Sequence, residues 1–204
     1  MTFSQSPGIR STPAPRQTAD PHTILKQVRL LGDPTLRRKA LPVELDDTDF
    51  LREKGRLVSV LEAFRAENGF GRAIAAPQIG VQKRFIALNL GGGPFVIVNP
   101  RVRELSFETM TLWDDCMSFP SLLVKVARAQ SMRIEYTDEA GNEQAWEVEE
   151  PAIAELLQHE IDHLDGLLAI DRALDTRSLV MRAVYMEQKD YFDRQVDYVI
   201  QPTV

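Results

Sequence analysis

This chain of 204 residues has one cysteine, three histidines and two tryptophans. With only Cys116 available, no intrachain disulfide can form. No apolar run approaches the roughly 20 residues needed to span a bilayer. The N-terminus lacks the continuous apolar stretch of a secretory signal. Positive charge is in deficit, with 24 Lys and Arg against 30 Asp and Glu and a formal net charge of -6. No basic surface therefore advertises nucleic-acid binding. These absences predict a protein of the reducing cytoplasm with no membrane and no direct nucleic-acid partner.

What is present suits one globular core, since 44% of the residues are hydrophobic. Residues 1–22 are rich in Ser, Thr, Pro and Gln and read as a flexible extension, leaving 23–204 as a single domain. Residues 48–67 space Phe50, Leu57, Leu61 and Phe64 as a helix does, and Asn68-Gly69 is a plausible stop. Arg84–Leu90 and Phe95–Pro100 read as strands, the second ended by Pro100. Further strands are expected over 101–110 and 122–136, and a hairpin turn at 138–142 returns the chain over 144–148. Helical spacing resumes after Pro151, and a last helix is expected over 176–198. This order is that of an α+β fold with antiparallel strands.

The most informative stretch is Gln158-His159-Glu160-Ile161-Asp162-His163. Two histidines four apart on a helix project from one face and can grip one metal ion. The glutamate beside the first can act as base toward a water activated there. That pattern points to metal-assisted hydrolysis of an amide bond. A third protein ligand is needed. The residues after His163 offer no further histidine, which leaves a downstream acid such as Glu187 or the single thiol, Cys116. His22 lies in the polar leader and reads as solvated.

Three separated motifs make the chain resemble the peptide deformylases over most of residues 28–170. Gly71-Arg72-Ala73-Ile74-Ala75-Ala76-Pro77-Gln78-Ile79-Gly80 is similar to that family's G-x-G-aliphatic-A-A-x-Q-x-G. Asp114-Asp115-Cys116-Met117-Ser118 is similar to E-G-C-L-S, and residues 158–166 to Q-H-E-x-D-H-L-x-G. The resemblance implies antiparallel sheets packed around a central HExxH helix, with a C-terminal helix. It implies Cys116, His159 and His163 as ligands of one divalent ion, Fe2+ in cells, with Zn2+, Ni2+ or Co2+ as alternatives. It implies Glu160 as the proton carrier, with Gln78 and the Met117 backbone N–H stabilising the oxyanion. Gly71, Arg72, Ala73, Ile74, Asp115, Leu123 and Leu156 are implied along the substrate.

The implied reaction removes the formyl group from N-formylmethionyl peptides of new proteins and releases formate. The alternatives are a paralogue acting on another small N-formyl compound, or a glutamate-type protease using Glu187. A tight pocket of Ile74, Ala75 and Ala76 would favour formyl over larger acyl groups. The substrate-facing motifs also depart from the family pattern. Ala73 adds a methyl group where a glycine is usual, and Arg72 stands near the substrate's first side chain. Asp114-Asp115 puts carboxylates beside the thiolate, and Leu123 stands where some members carry an arginine. Arg128 either pairs with Asp114 or is a solvated charge at a strand edge. A monomer or weak dimer is expected, and transient contact with the ribosome through the C-terminal helix stays open, although acids are interspersed among its basic residues.

Overall fold

The structure, a computed structural model, describes residues 21–44 and 46–201. Most of the expected leader, residues 1–20, lies outside them. The described chain opens on a short helix, α1 (Pro21–Leu25).

Two antiparallel sheets flank one helix. The larger sheet runs in the order β1 (Ala73–Ala75), β2 (Phe85–Asn89), β3 (Pro94–Leu105), β6 (Met132–Thr137), β7 (Glu143–Val148). The smaller runs β4 (Thr109–Asp115), β5 (Leu122–Ala129), β8 (Leu179–Met181). The motif helix, α3 (Pro151–Leu164), packs on one face of the larger sheet, and α2 (Phe50–Asn68) packs on the other. The α+β expectation, with antiparallel sheets around the HExxH helix, matches this architecture.

The sequence gives β2 no polar face because both of its faces are covered. Successive strand residues point to opposite faces. Ile86 and Leu88 therefore enter the cluster with Leu157, Ile161 and Leu164 of α3, whereas Phe85 and Ala87 join Leu57 and Leu61 of α2. Helix α2 ends where Asn68-Gly69 predicts, with Gly69 left-handed at φ 73° and its N–H donated to the Arg65 carbonyl.

Two expectations fail for tertiary reasons. Pro100 does not end the second strand. β3 continues to Leu105 across a register shift, with Asn99 at φ 52°. The Asn99 side chain accepts from Val43 N at 2.8 Å and donates to Val43 O at 3.0 Å, so the local kink is held from both ends. A bulge is where a strand tolerates proline. The helix expected over 176–198 is broken. Leu179-Val180-Met181 pairs with Leu122–Val124 as β8, and only α4 (Arg182–Glu187) and α5 (Lys189–Asp193) are helical. Edge pairing to β5 prevails over helical spacing there. Trp113, Leu123, Tyr185 and Phe192 then fasten the two short helices to the outer face of the small sheet.

Candidate metal centre and active site

Helix α3 carries most of the site. Proline opens it, at a position where its missing N–H costs nothing. Ten of its fourteen residues are buried. At its exit Gly166 is left-handed (φ 76°), and a Cβ there would stand 2.7 Å from the Arg37 carbonyl oxygen. The last glycine of the third motif is thus required by the close approach of the chain near residue 37, which tethers the helix through Ala40 N to Leu164 O at 2.8 Å.

Within its last six residues, His159 and His163 face the turn after β4. His163 Nε2 lies 3.2 Å from His159 Nε2 and 3.2 Å from Cys116 Sγ. All three residues are buried. A tetrahedral ion with bonds of about 2.0–2.3 Å spaces its donor atoms by roughly 3.3–3.6 Å. Two imidazole lone pairs and a sulfur converging this closely fit a metal ion. Among the described residues these three form the candidate metal cluster, and Glu187 lies exposed on α4 outside it. The glutamate-type protease alternative is corrected on that ground.

The surroundings prepare the ligands. The Asp114 carboxylate stands 2.9 Å from His159 Nδ1, although off the ideal hydrogen-bond direction. A carboxylate there keeps the ring proton on Nδ1 and leaves Nε2 for the metal. Burial opposes ionisation of Asp114, but the His159 ring and Arg128 outweigh it and hold the carboxyl at about 2. Burial also opposes protonation of His159, yet the Asp114 charge raises its pKa well above the usual histidine value. His163 moves the other way, through burial and the neighbouring His159 charge.

Arg128 is not a solvated edge charge. It is buried and donates to Asp114 at 3.1 Å and to Asp162 at 2.5 Å, and Arg172 closes the chain on Asp162 at 2.7 Å. The carboxylates at 114 and 115 differ in use. Asp114 serves His159, whereas Asp115 points to the other face of β4 and pairs with Arg182 at 2.7 Å. Asp115 is therefore not beside the thiolate.

Gln78 sits on a 3-10 turn (Ala76–Ile79) directly after β1. Its Oε1 accepts from Ala75 N at 2.9 Å, which fixes which way the amide faces. Its Nε2 then points at Cys116 Sγ (3.6 Å) and Ser118 Oγ (3.3 Å). Among the described residues the Met117 N–H has no hydrogen-bond partner, while Ser118 N donates to Cys116 Sγ at 3.4 Å. Glu160 is buried, and its Oε2 has no hydrogen-bond partner among the described residues. Burial pushes its pKa up to about 7 against the lowering effect of His159.

The expected substrate residues separate into groups. Ala73 faces α3, and Leu156 joins it in that cluster. Ile74 turns away into the α2 cluster. Ile74, Ala75 and Ala76 are all fully buried, so they form core rather than an open pocket wall. Leu123 lies under Tyr185 on the face of the small sheet remote from the thiolate. Gly71 is needed for backbone reasons: at φ 133° a Cβ would meet the Phe64 ring at 2.8 Å. Arg72 folds onto α3, donating to Ala152 O at 2.6 Å and to Glu155 Oε1 at 2.5 Å. Burial raises Glu155 to about 7, opposed by Arg72.

Sequence reasoning missed Glu155 and Ser118. A charged residue one turn before His159 on an otherwise apolar face was the available signal for Glu155. For Ser118 the signal was its place at the end of the second motif. Of the basic residues near the C-terminus, Arg177, Arg182 and Lys189 pair with Asp175, Asp115 and Asp193.

Comparison with known proteins agrees with this geometry. The family described as polypeptide deformylase matches residues 25–178. The chain is 34% identical over 161 residues to the peptide deformylase of Thermotoga petrophila, covering 79% of this chain and 94% of that protein. It is 39% identical over 152 residues to that of Rhizobium meliloti, covering 72% and 84%. The crystal structure of the Thermotoga maritima peptide deformylase superposes with a TM-score of 0.65 at 34% identity, covering 72% of this chain and 97% of the other. A Synechococcus elongatus peptide deformylase in complex with actinonin gives 0.65 at 28% identity, covering 81% and 85%. The three motifs, the sheet-helix-sheet frame and a family match over more than half the sequence agree: the chain belongs to the peptide deformylase family.

Proposed function

We propose that this chain is a metal-dependent hydrolase that removes the formyl group from N-formylmethionyl peptides of newly made proteins and releases formate. The observation that carries the reading is the convergence of Cys116, His159 and His163 with the Gln78 amide and the buried Glu160. When bound, the metal supplies Lewis acidity that makes a nucleophile from water near neutral pH.

The chain's residues do the rest. Glu160 takes the proton released by the water and returns it to the departing amine. A carboxyl whose Oε2 has no hydrogen-bond partner among the described residues, raised toward neutrality by burial, suits both halves of that transfer. Gln78 Nε2 and the Met117 N–H donate to the formyl oxygen as it gains charge. Loss of one such donor typically costs about 2.7–4 kcal/mol of barrier. β1 is an edge strand of its sheet, so the substrate backbone can lie along it beside Gly71, Arg72 and Ala73.

Ferrous iron is proposed as the ion in cells, and a thiolate with two imidazoles also suits zinc, nickel or cobalt. The enzyme is placed in the cytoplasm because nascent chains are made there. It is proposed to act as a monomer or weak dimer, with transient contact to the ribosome. Metal content and formate release test the ligand assignment together. Cys116→Ser is expected to lose both, and Glu187→Gln neither. Full metal retention without Cys116 would overturn it.

A further inference from the structure

The family match stops at residue 178, whereas the described chain runs on to 201. The stretch beyond α5 wraps one edge of the small sheet. β4 is an edge strand, paired on one side with β5. Such an edge leaves backbone N–H and C=O groups in need of partners. Residues 196–198 cross it at Thr111. The Thr111 N–H and hydroxyl donate to the Asp197 carboxylate at 2.9 and 2.7 Å, and its carbonyl accepts from Asp197 N and Tyr198 N at 3.1 and 3.0 Å.

The crossing takes the chain from one face of β4 to the other. Successive residues of a strand point to opposite faces. Trp113 faces outward, in the cluster where Phe192 and Val196 pack. Its Nε1 donates to the Phe192 carbonyl at 3.0 Å, and the two rings meet edge-on at 5.4 Å. Met110, Leu112 and Cys116 face inward, and Tyr198 and Ile200 pack against their cluster. Val196, Asp197 and Tyr198 thus take the outer face, the edge and the inner face in turn.

The strand gripped in this way ends at the metal centre. Asp114, 2.9 Å from His159 Nδ1, lies on it, and Cys116 follows it directly. Thr111 stands about 10 Å before Asp114 along the strand. A rotation of β4 about its own axis would swing Asp114 and Cys116 together, toward or away from α3. Pairing along one edge leaves that rotation open, whereas contacts on both faces oppose it.

We propose that residues 192–200 are a clip on β4, with Asp197 and Tyr198 as positioning residues: they fix the twist of the strand and so hold Asp114 and Cys116 against the histidines of α3. The link to catalysis rests on the deformylase reading, and the grip on Cys116 does not.

The test follows Cys116, the single thiol of the chain, in two ways. Full-length protein loaded with Co2+ is mixed with excess chelator, and the loss of the ion and of its thiolate absorption is timed. Metal-free protein is timed in its reaction with a thiol-directed reagent. Tyr198→Ala and Asp197→Ala are expected to speed both at least tenfold, since removing the support behind a metal ligand typically costs about 10–100-fold in affinity. Tyr198→Phe keeps the ring and is expected to stay within twofold of wild type. Phe50→Ala lowers Tm from a different cluster, the one against α2, and is expected to leave both rates within twofold. Asp197 is exposed, so its variant decides the matter if Tyr198→Ala does not fold. Rates in the Asp197 and Tyr198 variants no higher than in Phe50→Ala would overturn the proposal. Wild type that binds no Co2+ would overturn the metal reading, and the thiol rates would still decide the clip.

Discussion

Arg128 and Arg72 both lie against helix α3, and they are used differently. Arg128 sits behind the histidines between two carboxylates, Asp114 and Asp162, with Arg172 completing an alternating chain of charge. Arg72 sits ahead of them with one carboxylate, Glu155, and a backbone carbonyl. Asp114, Arg128 and Asp162 each meet two partners, and the network ends on His159, a proposed metal ligand. The second is a single pair whose acid lies on the same helix as Glu160, the proposed proton carrier. Its acid is already pushed to about 7 by burial, so it can become neutral at small cost. The first arrangement fixes geometry, and the second can change with pH or substrate.

Removing Arg128 should have the largest effect. Arg128→Ala leaves Asp114 with only His159 and Asp162 with only Arg172, and breaking a buried charge network in this way costs about 3–5 kcal/mol. A fall in denaturation midpoint with loss of bound metal is expected, and a Tm within a degree of wild type would end the claim that this network fixes the site. Asp114→Asn is milder. It keeps the shape and weakens the hold on His159, so metal affinity should fall about 10–100-fold with little change in fold, as titration with a competing chelator would reveal.

Arg72→Met should cost less, about 1–3 kcal/mol at pH 7, because Glu155 can take up a proton. The doubly apolar variant Arg72→Met/Glu155→Leu should recover that loss, as buried pairs replaced by matched apolar groups often do. A double variant less stable than the single one would contradict the contrast. The smallest expected effect is on pH dependence. Glu155 binds its proton more tightly folded than unfolded, with a pKa of about 7 against 4.5. The folded state then holds more protons between those values, so this group's contribution to stability falls as pH rises from 4.5 to 7. Glu155→Gln should remove that slope, and urea midpoints across the window measure it.

The sequence disclosed these features unevenly. The convergence of His159 and His163 was legible because residues four apart on a helix share one face, and the structure brings the two rings together. Cys116 shared the third-ligand candidacy with Glu187, and only the resemblance to the family favoured it. The buried role of Arg128 was not legible, since nothing local distinguishes a strand arginine that meets Asp162 across 34 positions from one that meets water. The same holds for Leu123, whose face of β5 is decided by where α4 docks. β3 passed through Pro100 because Asn99 is held by Val43, a contact 56 residues away in sequence. The C-terminal helical region starts later than the spacing suggests because Leu179–Met181 pairs to β5, leaving α4 and α5 as its helices.

The central claim is that Glu160 carries the proton in a deformylation performed at the Cys116–His159–His163 centre. The most direct test is anaerobic release of formate from formyl-Met-Ala-Ser by wild type and Glu160→Ala, each loaded to equal metal content. The account predicts turnover by wild type and a loss of about 10²–10⁴-fold or more in kcat for the variant, with metal retained. Equal turnover by the two, or none by fully loaded wild type, would contradict it.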